Sequence, residues 1–290
     1  MPDRKIKEKS TVTIIGAGRL GTALARALTN HGYSVRSLVA RRLQSARKAA
    51  AALDSQPAAY AANQIRFLPP SDLFLISVAD DQIASVAGEL RQLDLNPRPT
   101  VLHTSGALSS EVLSPLHANG WSTGSLHPLL SISDRQTADI KGAFWCVEGD
   151  PGAIRLAKSI VKDLGGTSFS IGAAEKPLYH AAAVMTSGHV TALFDVALEM
   201  LIECGLTRTT ARRILQPLLA STVRNLETKD PAQALTGTFS RGDIETVKRH
   251  LAALKSHKLA DALELYCKLG RRSMKLTKKR TGITRILDGC

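Results

Sequence analysis

Three glycines, in the order Gly16-Ala17-Gly18-Arg19-Leu20-Gly21, are the first residues whose types and spacing suit a chemical task. The uncharged, β-branched run TVTII precedes them at 11–15, and TALARAL at 22–28 has helical composition. That order reads as strand, tight turn, helix. Gly16 permits the sharp turn, Gly18 lets a pyrophosphate approach the backbone, and Gly21 lets the helix pack on the strand. The helix start adds free N–H groups and a partial positive charge for the phosphate. Gly16, Ala17, Gly18, Arg19, Leu20 and Gly21 are therefore candidate cofactor contacts.

The next strand, YSVRSLVA at 33–40, ends in Arg41-Arg42. An acidic residue near this point would hold a ribose 2′-hydroxyl, but no Asp or Glu occurs between Glu8 and Asp54. Two guanidiniums stand there instead, and they pair well with phosphate oxygens. The reading is NADP rather than NAD. The alternative is that Arg41 and Arg42 only solvate the start of the following helix.

Further candidates leave later strands. LFLISVA at 73–79 is an uncharged strand whose end, Val78-Ala79, passes the nicotinamide ribose. Asp80-Asp81 opens a helix, and one aspartate is expected to cap it. TVLH at 100–103 releases His103-Thr104-Ser105-Gly106 at its carboxyl end, where open α/β sheets bind ligands. Gly124-Ser125-Leu126-His127-Pro128 reads as another turn. In a helix from Pro177 to about Cys204, His180, Val184, Ser187 and Thr191 share one face. That stripe either faces the crevice or is satisfied locally in a core.

These residues need elements to place them. The 290 residues suit one large domain or two ordinary ones. Strands and helices alternate over 11–172, with strands also at 143–147 and 167–171 around the helix 151–164, which reads as a doubly wound parallel sheet. Residues 46–62 read as helix followed by loop. Helical periods dominate 173–270, as an all-α second domain with helices at 177–204, 207–226 and 244–269. The loop 235–243 carries Arg241, which either binds a carboxylate or holds the loop, and Asp243, expected to cap the last helix.

The net charge is +13, yet residues 1–10 contribute +2 and residues 271–290 contribute +6. Both segments read as solvated basic tails. Aromatic residues are only 4%, without a stacking set, which argues against nucleic acid. Cys146, Cys204, Cys267 and Cys290 lack metal spacing and read as reduced thiols of a cytoplasmic protein; no metal is expected. The first ten residues lack an apolar signal core, and polar residues interrupt the Ala-rich stretch near 181, so no membrane span is expected.

The segments GAGRLGTAL, ISVADDQI, HTSGALSS, GSLHPLLSI, KPLYHAAAVM and ALTGTFSRGD together resemble one bacterial family. Its members join a Rossmann-like domain to a helical domain of unknown function and are provisionally described as NADP oxidoreductases. Wider similarity is to ketopantoate reductase, pyrroline-5-carboxylate reductase and the 3-hydroxyisobutyrate/6-phosphogluconate dehydrogenases, over about 11–269. The resemblance implies NADP(H) on the glycine loop, a small-molecule substrate between the domains, and a homodimer formed by C-terminal helices. The hydroxyisobutyrate relatives contact substrate with a Ser-Gly pair, matched by Ser105-Gly106. They also carry a lysine and, four residues on, an asparagine, where this chain has Lys176 and His180. The family's TGP loop has Thr238 in place of proline.

The expected activity is hydride transfer to or from a small carbonyl, imine or hydroxy acid, with a protein group supplying the proton. Lys176 and His180 are the first candidates for that group, then His103 and His127, with Ser105 positioning substrate. The alternative is an NADPH-binding sensor or scaffold without turnover.

Overall fold

The computed structural model describes residues 9–133, 140–277 and 282–289. The chain divides into two compact units, Met1–Met185 and Thr186–Cys290.

The first unit is built on eight strands, β1 (Thr11–Ile15), β2 (Ser34–Ala40), β3 (Ala58–Ala61), β4 (Leu73–Ile76), β5 (Thr100–His103), β6 (Ser122–Leu129), β7 (Phe144–Gly149) and β8 (Thr167–Phe169). They form one sheet in the order β3-β2-β1-β4-β5-β6-β7-β8. Every neighbouring pair is parallel except β6 and β7. Helices α1 (Arg19–Asn30), α2 (Leu43–Ala50), α3 (Asp80–Leu90), α4 (Ser114–His117) and α5 (Pro151–Asp163) connect the strands, and α6 (Lys176–Thr186) follows them.

The central strands are largely apolar because both their faces are covered. Val12 and Ile14 of β1 enter one core with Leu24 and Leu28 of α1. Ile15, Phe74 and Ile76 enter a second core with Ile83 and Leu90 of α3. This is the doubly wound arrangement that the alternation of elements predicts.

Four expectations change here. The segment 58–61 is an edge strand, β3, rather than loop: it pairs in parallel with Ser37–Ala40. The segment 124–128 is the interior of β6, not a turn; Gly124 abuts the Glu148 carbonyl oxygen closely across the β6–β7 pair. The sheet is mixed, because that pair runs antiparallel. The compact unit also runs past residue 172, since α6 inserts a buried lysine under the sheet.

The second unit is helical: α7 (Gly188–Glu203), α8 (Arg208–Thr228), α9 (Pro231–Ala234), α10 (Thr238–Arg241), α11 (Ile244–Ser256), α12 (Ala260–Thr277) and α13 (Ile283–Asp288). The stretch Ala173–Glu203 is long and apolar enough by composition to cross a membrane. It is not one regular helix: Ser187, at φ −114° and ψ −75°, separates α6 from α7. The stripe from His180 to Thr191 therefore does not lie on one continuous helix. The expected helix 244–269 likewise divides, with Lys258 in a left-handed turn between α11 and α12.

Asp243 caps α11 as expected, accepting from the Thr246 amide at 3.1 Å. The described part of 271–290 is not a solvated tail. Arg271–Thr277 completes α12, and α13 buries Ile283 and Leu287 against Val247, Leu251 and Met274. Apolar residues at i and i+4 give this short helix one face that must leave water. Lys278, Lys279 and Arg280 lie outside the described residues, as does the N-terminal segment up to Glu8. Cys146 and Cys204 are free thiols, but Cys267 is disulfide-bonded, which corrects the reading of reduced cysteines. Cys290 lies outside the described residues.

Candidate functional site

The carboxyl ends of β1, β2, β4, β5 and β6 carry the candidate residues. After β1 the chain turns at Gly16, whose φ of +112° favours glycine; a Cβ there would also strike the Ser77 carbonyl. The amides of Gly16 and Ala17 both donate to the Val39 carbonyl, at 2.8 and 2.9 Å, and that of Gly18 donates to the Gly16 carbonyl at 2.7 Å. These three amides build the turn. The amides of Arg19, Leu20 and Gly21 have no partner among the described residues, and no acidic side chain lies in the first turn of α1. A Cβ on Gly18 would meet nothing within 4 Å, whereas one on Gly21 would strike the Gly16 carbonyl oxygen. One glycine thus leaves clearance and the other permits contact. Arg41 and Arg42 are exposed directly after β2, and Val78-Ala79 follows β4 beside the Gly16 turn. Open amides, clearance at Gly18 and two exposed guanidiniums together suit a phosphorylated dinucleotide.

On β5, β6 and β7 the sheet alternates sharply. His103 stands opposite Ser125, Ser125 opposite Glu148, and His127 opposite Cys146. These five side chains therefore share one face. Leu102, Leu126, Trp145 and Val147 take the other face and enter the larger core. Helix α6 brings Lys176, Tyr179 and His180 to the polar face, at the i, i+3, i+4 spacing that puts residues on one side of a helix.

Lys176 is 0% exposed. Its Nζ donates to the Ser105 carbonyl at 3.1 Å and to Ser125 Oγ at 2.6 Å. Burial pushes its ammonium below the usual lysine range, while Cys146, Glu148 and Asp80 oppose that shift. Ser105 Oγ donates to Asp80 Oδ2 at 2.8 Å and accepts from the Ala107 and Leu108 amides at 3.2 and 3.0 Å. Its hydroxyl is thus committed inward. Asp80 is not the expected cap: Ala79 holds that position, no side chain caps α3, and the Asp80 carboxylate is taken by Ser105. Glu148 accepts from the Ser110 amide and hydroxyl, at 2.8 and 2.6 Å.

The three histidines differ. His103 accepts from the Ser105 amide at Nδ1, at 3.2 Å, which leaves Nε2–H to donate to the Ser109 carbonyl at 3.1 Å. Burial, then the Lys176 charge, lowers it to about 4. With both nitrogens bonded, it pins the 103–109 turn. His127 is also lowered to about 4, by burial first and then by Lys176 and His180. Its Nδ1 lies 2.7 Å from Tyr179 Oη, and its ring meets those of Tyr179 and His180 edge-on. His180 Nδ1 is buried and has no partner among the described residues. His127 Nε2 and His180 Nδ1 converge on Gly106, where a Cβ would strike both.

The structure thus brings Lys176, His180, His103, His127 and Ser105 together in one unit. Sequence reasoning missed Tyr179, Cys146, Glu148 and the role of Asp80. The period-two pairs Ser125/His127 and Cys146/Glu148 were the available signal. Arg241 is an exposed residue of α10 in the other unit.

Comparison with known proteins supplies the wider setting. A Rossmann-like domain matches residues 3–128, and a domain of unknown function, DUF2520, matches residues 143–273. A search of curated proteins finds no match. Among solved structures, a Bacteroides fragilis protein provisionally assigned as an NADP oxidoreductase is similar at 23% identity and a TM-score of 0.76, covering 92% of this chain and 99% of its own. Protein TM1727 from Thermotoga maritima is similar at 22% identity and a TM-score of 0.71, covering 92% and 98%. The reductive aminase from Aspergillus terreus, in complex with NADPH and ethyl-5-oxohexanoate, is similar at 17% identity and a TM-score of 0.65, covering 97% and 99%. At such identities the likeness establishes the fold. The chain joins a Rossmann-like domain to a DUF2520 domain.

Proposed function

We propose that this protein is an NADP(H)-dependent oxidoreductase acting on a small carbonyl, imine or hydroxy acid. One observation carries the reading. Open first-turn amides at Arg19–Gly21 and a half-buried pair of histidines around Gly106 lie at the same carboxyl edge of one sheet. The NADPH bound by the similar reductive aminase supports the choice of cofactor. Arg19, Leu20 and Gly21 would hold the pyrophosphate, Arg41 and Arg42 the 2′-phosphate, and Val78-Ala79 the nicotinamide ribose. Bound NADPH supplies the hydride; the chain orients it and assists the substrate. His127 and His180 assist at the reacting centre, because Lys176, His103 and Ser105 are bonded within the protein. Lys176 holds the Ser105 carbonyl and so the turn that carries Gly106.

We further propose a cytoplasmic homodimer formed by α7 and α8. Val190, Leu193, Ile214, Leu218, Val223 and Leu226 are exposed large apolar side chains on those helices, more than a solvated surface ordinarily shows together. That role accounts for the apolar stretch without a membrane.

A second reading is favoured by one observation: Ser105, which the family resemblance places on substrate, and Lys176, the first candidate for the proton donor, are both satisfied internally. The protein would then be an NADPH-binding sensor without turnover. Calorimetry with NADPH and NADH, followed by NADPH oxidation across a panel of oxo acids, aldehydes and imines, separates the readings. Tight binding with turnover supports the enzyme, and tight binding without turnover on any of them supports the sensor. Absence of binding by either nucleotide overturns both.

A further inference from the structure

We propose that Tyr179 is a positioning residue, whose phenol fixes the His127 imidazole as the tautomer carrying its hydrogen on Nε2. The proposal rests on the reading that the Gly106 turn borders the reaction site. Tyr179 Oη and His127 Nδ1 are 2.7 Å apart, a short and direct contact. Two polarities are conceivable: either the phenol donates to Nδ1, or Nδ1–H donates to the phenol oxygen. In the second case the phenol hydrogen has no partner among the described residues, in a half-buried setting where a lost hydrogen bond is costly. The first case leaves over only the Nε2 hydrogen, which faces the Gly106 turn, and it pairs the stronger donor, a phenol O–H, with the stronger acceptor, an imidazole lone pair. Burial raises the Tyr179 phenol above its ordinary range, so it retains the proton it donates.

Packing fixes the orientation of the His127 ring. Phe169 meets the Tyr179 ring at 5.8 Å between centroids and 70° between planes. Tyr179 meets His127 at 5.6 Å and 87°, and His127 meets His180 at 5.6 Å and 83°. Each pair meets at a steep angle, the edge-to-face geometry that aromatic rings prefer. With Nδ1 engaged, the His127 hydrogen sits on Nε2, the nitrogen that faces the Gly106 turn beside His180 Nδ1. The turn is thereby flanked by one fixed N–H donor, aimed where a substrate oxygen or nitrogen would accept it. Tyr179 itself needs no contact with substrate.

The test is a ¹⁵N spectrum of imidazole-labelled full-length protein at neutral pH, with the His127 signal assigned by its loss in His127→Asn. The expected result is the Nε2–H tautomer in the wild type and a mixed or Nδ1–H signal in Tyr179→Phe. On a substrate from the panel, Tyr179→Phe lowers kcat by about ten- to a hundredfold, with KM and NADPH affinity nearly unchanged. An Nδ1–H tautomer in the wild type overturns the proposal, even if the variant does not fold. So does an unchanged tautomer or unchanged kcat in a folded Tyr179→Phe. If the wild type shows the Nε2–H tautomer but binds no nicotinamide nucleotide, the proposed function fails while the tautomer assignment stands.

Discussion

Replacing Gly106 with alanine tests whether two histidines converge on this turn. A Cβ there would strike His180 Nδ1 and lie 2.8 Å from His127 Nε2. His127 must retreat by about 0.6 Å to reach ordinary contact near 3.4 Å, and His180 by more. Neither has an easy retreat: Tyr179 stands 2.7 Å behind His127, and the His180 ring abuts that of His127. Gly106 does not adopt a positive φ, so the penalty comes from the methyl group alone. Overpacking of this kind costs about 1–3 kcal/mol. In a unit of this size that lowers Tm by about 2–4 °C per kcal/mol. Displacement of the reacting groups by about 1 Å costs on the order of a hundredfold in turnover. Gly18→Ala is the contrasting variant. Its Cβ meets nothing within 4 Å and its φ is −77°, so stability should hold while NADPH affinity falls. Thermal unfolding, NADPH calorimetry and turnover of both variants make the comparison. A Gly106→Ala protein with wild-type Tm and wild-type histidine resonances would refute the convergence.

Three further outcomes are expected. Arg41→Ala/Arg42→Ala should weaken NADPH binding by about tenfold or more, the loss of the charge-assisted contacts to phosphate, and leave NADH binding nearly unchanged; equal losses for the two nucleotides in calorimetry would exclude a 2′-phosphate role. His103 sits near 4 when folded against about 6.5 unfolded, so the unfolded chain binds the extra proton between those values. Its contribution to stability is therefore full above pH 6.5 and falls by about 3 kcal/mol as pH drops to 4. Urea unfolding of wild type and His103→Asn across that range should show the steeper acid loss in the wild type, and identical slopes would argue against a buried neutral imidazole. Ile283→Ala removes a fully buried side chain of α13 and should cost about 2–5 kcal/mol in thermal unfolding; a neutral result would mean that 283–287 is a loose tail after all.

The glycine turn was legible because its three glycines answer local demands, and local geometry is written in local sequence. The strands β1, β4 and β5 were legible for the same reason, as runs without acidic, lysine or arginine residues, and β2 as a β-branched run interrupted only by Arg36. β6 was not. Gly124 and Pro128 carry turn signals, yet Gly124 is there for close approach to the Glu148 carbonyl oxygen, and β7 is remote in sequence. Misreading β6 hid the alternation that puts Ser125 and His127 on one face with Cys146 and Glu148. Lys176 was legible by resemblance, but its complete burial depends on the carbonyl of Ser105, 71 positions earlier in the chain. Asp80 stood where helix caps ordinarily stand, and only the approach of Ser105 redirects it. The C-terminal charges concealed α13, because seven basic residues dominate a segment in which Met274, Ile283 and Leu287 enter the core.

The charges on the polar face constrain what the site can do for a substrate. Lys176 is buried beside His103 and His127, and its ammonium lowers both imidazoles beyond what burial alone achieves. Protonating either histidine would place a second positive charge in the same dry layer, where repulsion is screened far less than in water. At neutral pH these two imidazoles are therefore uncharged. A neutral imidazole has one N–H to offer and is a poor source of a whole proton, so its assistance is polarisation of an acceptor through a directed hydrogen bond. Direction then matters more than acidity, because a neutral donor turned the wrong way presents a lone pair to the atom it should stabilise. That requirement explains why the ring behind His127 is a tyrosine rather than another phenylalanine. The same layer already contains Phe169, whose edge packs as well but has no hydrogen to give.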